Sequence, residues 1–372
     1  MNWVASVRLL LAGDVMLGRL VDQLFSSHVH HPQDTAHVLA MKQHHPHRFQ
    51  NISFAYPWGS MLSYFHSSHL NIINLETAIT THPKPFPNKV FNFRMHPDNI
   101  GVLKAAHIGH VSLANNHVLD FGMHGLQDTM DTLNHHAISY AGVGSDQETA
   151  HGPTYLTVQV PVDTNTVDIT FAFFSASDHP AEWSHYSQFN YLDIKNINKT
   201  QLSHIENQIQ RAKEHADMVV FSLHWGPNYA WNPDPRFIEF AHTLIDAGVD
   251  IIHGHSSHHV QAVEVYKERP ILYGCGDFID DYAVDEAYRN DLGFLYGLDV
   301  DFILDDQGKR YPKFRHMDLI PAKIEYMQVY EMKDIQDQKD KMWLFSKMKN
   351  MCRTRGTSVQ ETTRGWLGID FK

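Results

Sequence analysis

The sequence is poor in cysteine, in basic charge and in long apolar runs. Two cysteines in 372 residues, Cys275 and Cys352, build no disulfide framework and fit a reducing compartment. The lack of clustered thiols also argues against a structural zinc site. No stretch reaches the ~18 apolar residues of a membrane span, so no integral membrane segment is expected. The apolar run near the N-terminus is broken by Arg8 and is too short for a secretion signal, which makes a cytoplasmic location the expectation. Basic residues are outnumbered, with 30 Lys and Arg against 42 Asp and Glu, a formal charge of −12. Partial protonation of the histidines at pH 7 moves this towards zero by roughly 7 units. No basic surplus remains to select nucleic acid, and none is expected as a partner.

Histidine is what the chain has in abundance. Four of its 29 histidines, His253, His255, His258 and His259, fall within seven residues after an apolar run that ends at Ile252. Taken alone, such a cluster also fits a His-rich surface turn. A strand end followed by a turn of small residues, however, is a way for a sheet to present imidazoles at its rim, and neutral imidazole is a common metal ligand.

Other strand ends repeat the pattern. VRLLLA (7–12) delivers Gly13-Asp14, and HLNIINL delivers Glu76. HIGHVSLA (107–114) leads into Asn115, Asn116, His117 and Asp120 ahead of an amphipathic helix over 124–136. Met218 to Leu223 ends in His224. Ligands gather at the carboxyl ends of strands in open α/β sheets. Two carboxylates, an amide oxygen and several imidazoles form a mixed oxygen and nitrogen set that suits two divalent ions such as Mn, Fe or Zn. Asp120 is placed to orient the His117 imidazole. Arg19 and Arg94 are candidates to hold an anionic substrate.

The rest of the chain sets the frame. Residues 28–57, rich in His, Pro and Gln, read as a solvated insertion or long loop. An antiparallel pair is expected at 154–160 and 167–174, helices at 199–215 and 235–247, and a meander over 292–330. A helical extension begins at about 333. With no repeat and no evident linker, residues 1–372 read as one domain.

The segments LAGDVMLGR, INLETAIT, FNFR, VSLANNHVLDFG, FSLHWG and DIIHGHSSHHVQAVEVY…PILYG together resemble the capsule-synthesis CapA (poly-γ-glutamate biosynthesis) family, a branch of the calcineurin-like metallophosphoesterases. The resemblance implies an α/β fold, a four-layer α/β/β/α sandwich, with metal ligation by Asp14, Glu76, Asn116, His224, His255 and His258. It gives His117 the place of the histidine that protonates the leaving group. The chain departs from metallophosphoesterases at Met16, where Asp-x-His is usual, and carries Glu76 in place of a bridging Asp. His255 and His258 are separated by two residues where the family has His-x-His, so His253 or His259 is an alternative ligand. Asp277 stands where many members have Asn. The expected activity is a metal-dependent hydrolase using a metal-bound hydroxide on a phosphoester or similar anionic substrate. The alternatives are a component of poly-γ-glutamate or capsule-type polymer synthesis acting on γ-amide bonds, and a non-catalytic binding module. The expected partner is an anionic small molecule or polymer.

Overall fold

The fold is mixed α/β, and the computed structural model describes residues 2–371. The strand Asn2–Val15 alternates between two apolar clusters. Val7, Leu9 and Leu11 enter one, and Leu10, Ala12 and Val15 enter the other. Burial on both faces explains why VRLLLA is a continuous apolar run. Leu70–Leu75, Ile108–Ser112 and Ser139–Ala141 extend the sheet in parallel on one side of this strand. On the other side Leu292–Leu304, Arg310–Glu325 and Leu367–Asp370 extend it antiparallel.

The second sheet runs in the order Val263–Tyr266, Arg269–Leu272, Ile251–His255, Met218–His224, Asn165–Ser177 and Thr154–Val162. Its central strands are parallel. The two sheets share one apolar cluster, in which the Phe171 and Phe302 rings meet at 6.2 Å and His110 stacks on Phe173 at 3.7 Å. Helices Lys199–His215 and Pro235–Ala247 pack Ile209, Ala212, Phe240 and Leu244 into the same cluster. Helix Gly122–His135 packs Leu126, Met130 and Leu133 into the other cluster. The 235–247 helix matches its sequence signals: Asp234 caps it by accepting from the Arg236 amide, Pro235 opens it, and Gly248 closes it at φ +119°.

Two expectations need correction. Residues 28–57 are not simply a loop, because they hold the helix Pro32–His44. Only Val38 of that helix is buried, so no apolar stripe announced it. The C-terminal helix spans Gln338–Thr354 and follows directly on a 3-10 turn at Ile335–Asp337, close to the expected start at about 333. The chain after it returns as the strands Gln360–Glu361 and Leu367–Asp370, the second of which pairs with Arg310–Glu325. No helix among the described residues is long and apolar enough to cross a membrane.

Candidate metal centre

Parallel register brings the polar strand ends together. Asp14 lies opposite Asn74 on one side and Asp277 on the other, while His255 lies opposite His224. Register shifts on both sides of Asp14 mark a bulge there. Gly13 permits it, since a Cβ at that position would meet the Gly276 carbonyl oxygen at 1.8 Å. The two sheets are tied close to these ends: His253 Nε2 bonds the Ala12 carbonyl at 2.9 Å, and the Ser112 and Ser175 hydroxyls pair at 2.6 Å.

Two groups of candidate ligands result, and they share Asp14. One is Asp14, His224 and His255; the other is Asp14, Glu76, His258 and Asp277. Within each group the potential ligand atoms lie within 4.8 Å of one another, and every residue is buried. The His224 and His255 Nδ1 atoms approach to 2.8 Å. His258 Nδ1 bonds Asp277 at 2.8 Å and lies 4.0 Å from Asp14. Asp14 accepts from the Asn74 amide at 2.7 Å and from the Ser256 backbone N–H at 3.3 Å.

Several polar atoms of this cluster are unsatisfied. Both Glu76 carboxylate oxygens, one Asp277 oxygen and His255 Nε2 are buried without a hydrogen-bond partner, as is Asn116 Oδ1 in the turn just before His117. Buried charge without a partner costs several kcal/mol per group. Burial pushes the Asp14 carboxyl up to about 6. It also raises Glu76 well above the usual carboxylate range, helped by the Asp14 and Asp277 charges, and raises Asp277 likewise, helped by Asp14. Burial pushes His224 and His255 well down, towards the neutral imidazole that ligates metals. Cations neutralise such carboxylates, and an oxygen and imidazole donor set of this kind fits divalent transition ions.

His117 sits beside the second group. Its Nε2 is 3.8 Å from Glu76, its Nδ1 bonds Asp120 at 2.6 Å, and its ring stacks on Phe93 at 4.0 Å. Asp120 also accepts from the Phe93 amide at 2.5 Å and pairs with Lys89. Asn115 is spent on the Asn74 side chain and the Leu75 carbonyl, which leaves Asn116 as the free amide.

Among the residues singled out from sequence, Asp14, Glu76, His224, His255 and His258 converge, with His117 and Asp120 next to them. His253 is no substitute ligand, since Ser222 Oγ at 3.1 Å and the Ala12 carbonyl occupy both its nitrogens. His259 lies among Tyr229, Trp231 and Tyr288. Arg19 pairs with Asp281 at 3.5 Å and lies over Phe93. Arg94 bonds the Thr81 and His82 carbonyls and covers Phe121, so its guanidinium is engaged away from the carboxylates. Sequence reasoning noted Asp277 only as a departure and missed it as a candidate ligand. It also missed Lys89, hidden in a proline-rich loop. The adjacency of Asp14 and Asp277 is a fact of strand pairing that no local pattern carries.

The profile of the family described as "Bacterial capsule synthesis protein PGA_cap" matches residues 8–282, which contain every residue of both groups. The chain is 35% identical over 312 residues to the "Probable polyglutamine synthesis accessory protein" of Mycobacterium tuberculosis, covering 78% of this chain and 79% of that one. It is 31% identical over 188 residues to the "Capsule biosynthesis protein CapA" of Bacillus anthracis, covering 50% of this chain and 43% of the relative. It is 29% identical over 198 residues to the "PGA biosynthesis protein CapA" of Bacillus subtilis, covering 52% and 48%. The chain belongs to the bacterial capsule synthesis PGA_cap family.

Proposed function

We propose that the chain is a metal-dependent hydrolase of anionic substrates that works in capsule or poly-glutamate synthesis. The observation that carries the hydrolase reading is the buried cluster of carboxylates and imidazoles around Asp14, in which both Glu76 oxygens, one Asp277 oxygen and His255 Nε2 are unpartnered. The names of the relatives support the polymer pathway. We read residues 1–372 as one domain with a four-layer α/β/β/α arrangement of the metallophosphoesterase type. In support, the first strand feeds two apolar clusters, and helices join each of them.

Asp14, His224 and His255 would hold one divalent ion, and Asp14, Glu76, His258 and Asp277 the other, with Asn116 Oδ1 adding an oxygen. Ions bound there supply Lewis acidity towards an anionic ester and lower the pKa of water. His117 is the proton-transfer residue. Burial lowers its pKa to about 4, so the ring is neutral and its Nδ1 proton is donated to Asp120. That bond leaves Nε2 as the atom that takes up a proton, and nearby negative charge from a substrate favours the protonated form. The proton held at Nε2 then passes to the leaving group. Phe93 fixes the plane of the ring, and Lys89 compensates the Asp120 carboxylate.

A second reading, action on γ-amide bonds, is favoured by the polyglutamine and PGA wording of the relatives' names. The test is to load the protein with Mn, Fe or Zn and follow two reactions: hydrolysis of an aryl phosphodiester, and release of glutamate from a γ-linked oligomer. Phosphodiester turnover that disappears in His117→Ala supports the first reading, and glutamate release supports the second. Ions bound with turnover of neither substrate overturn the enzymatic reading in favour of a binding module.

A further inference from the structure

The Asp14–His224–His255 group has three protein ligands where its neighbour has four. A further imidazole stands beside it, on the loop that follows the strand Asn165–Ser177. We propose that His179, held by Asp178, is an additional nitrogen ligand to the ion of this group. The inference rests on the metal reading above and concerns one residue that the sequence patterns did not single out.

Three observations carry it. The first is position. The His179 and His224 ring centroids are 5.0 Å apart, the same separation as between His224 and His255. His179 is thus spaced from His224 as one candidate ligand is from the next. The strands that carry them are paired, with Ser177 opposite His224, which delivers the loop to this edge.

The second is orientation. His179 Nδ1 bonds Asp178 at 2.5 Å, and Asp178 is fixed in turn by the Gly226 backbone N–H at 3.1 Å. A carboxylate on one ring nitrogen sets the tautomer that leaves the other nitrogen's lone pair for a metal, and such carboxylate–histidine pairs accompany metal-ligating histidines. The third is the state of the other nitrogen. His179 Nε2 has only a 3.5 Å approach to Ser256 Oγ, and that hydroxyl also donates to the Gly226 carbonyl at 3.2 Å. Ligation exchanges this long contact for the ion and draws the ring inward, towards the group whose three ligand atoms already lie within 4.8 Å of one another. The His179 side chain is 29% exposed, whereas His224 and His255 beside it are buried.

The experiment is titration of chelator-stripped protein with Co²⁺, followed by calorimetry and by the visible absorption of the bound ion. The proteins are wild type, His179→Ala, His179→Gln and Asp178→Asn. Wild type is expected to take two ions. The two His179 variants lose one ion or bind it at least tenfold more weakly, with an altered spectrum. Asp178→Asn weakens the same site by about 10–100-fold without abolishing it. Circular dichroism and melting of the stripped proteins, expected to match wild type, separate ligand loss from misfolding. His179→Gln keeps most of the side-chain bulk at the rim if His179→Ala fails to fold. Two ions bound by His179→Gln with wild-type affinity and spectrum overturn the assignment of His179 and leave the metal centre standing. Wild type that takes up no ion overturns the metal reading itself, and this ligand with it.

Discussion

Asp14 is the carboxylate common to both ligand groups, so its replacement has an effect that no other single substitution shares. Asp14→Asn keeps the size of the side chain and can still accept from Asn74; what it gives up locally is the 3.3 Å bond from the Ser256 amide. An ion present at about 100 times its dissociation constant stabilises the fold by about 2.7 kcal/mol. Loss of both ions therefore removes about 5 kcal/mol of metal-dependent stability, whereas His255→Ala or Glu76→Gln removes about half of that. Elemental mass spectrometry on desalted, tag-free protein counts the ions, and urea midpoints with and without chelator read the stability. The expected counts are two for wild type, one for His255→Ala and for Glu76→Gln, and none for Asp14→Asn. In chelator the order changes. Asp14→Asn removes a carboxylate whose ionisation burial opposes, so it is at least as stable as stripped wild type. Retention of both ions by Asp14→Asn, or an equal chelator effect in wild type and variant, would refute the shared-carboxylate geometry.

Other substitutions separate structure from chemistry. His253→Ala leaves Ser222 Oγ and the Ala12 carbonyl without their buried partner. It should destabilise the fold by about 2–4 kcal/mol in urea titration while the ion count stays at two. His117→Ala should lower kcat by about 10²–10⁴-fold with ion content unchanged, measured on whichever substrate turns over. His316 is raised to about 9 by its hydrogen bond to Asp318 on its own strand, then by Asp370, and the second of these contacts joins the last strand to its neighbour. A folded-state pKa above the ordinary 6.5 gives stability that is fully present below pH 6.5 and is lost as pH rises through about 9. The urea-midpoint gap between wild type and His316→Gln should therefore be widest near pH 6 and closed by pH 10. A gap independent of pH would refute the ionic account.

The sequence determined the local elements and the chemistry at their ends. Continuous apolar runs read as buried strands, the 3.6-residue period read as helices at 199–215 and 235–247, and the motifs placed Asp14, Glu76, His117, His224, His255 and His258 at strand termini. These signals are local, set by side-chain periodicity and by backbone ends that need partners. It did not determine which residues would meet. Asp277 became a ligand candidate only because its short strand pairs beside Asp14, 263 positions away in the chain. His179 came to the rim only because Asn165–Ser177 pairs with the His224 strand. His253, as histidine-rich in context as its neighbours, was withdrawn by two hydrogen bonds that cross between strands and sheets. The helix Pro32–His44 and the strand Gln360–Glu361 escaped notice because little or none of their sequence is buried, and Leu367–Asp370, though buried at Leu367 and Ile369, is only four residues long. Strand register and sheet-to-sheet contact are long-range choices fixed by the packing of the whole core, and they decided which of the many histidines and carboxylates form the centre.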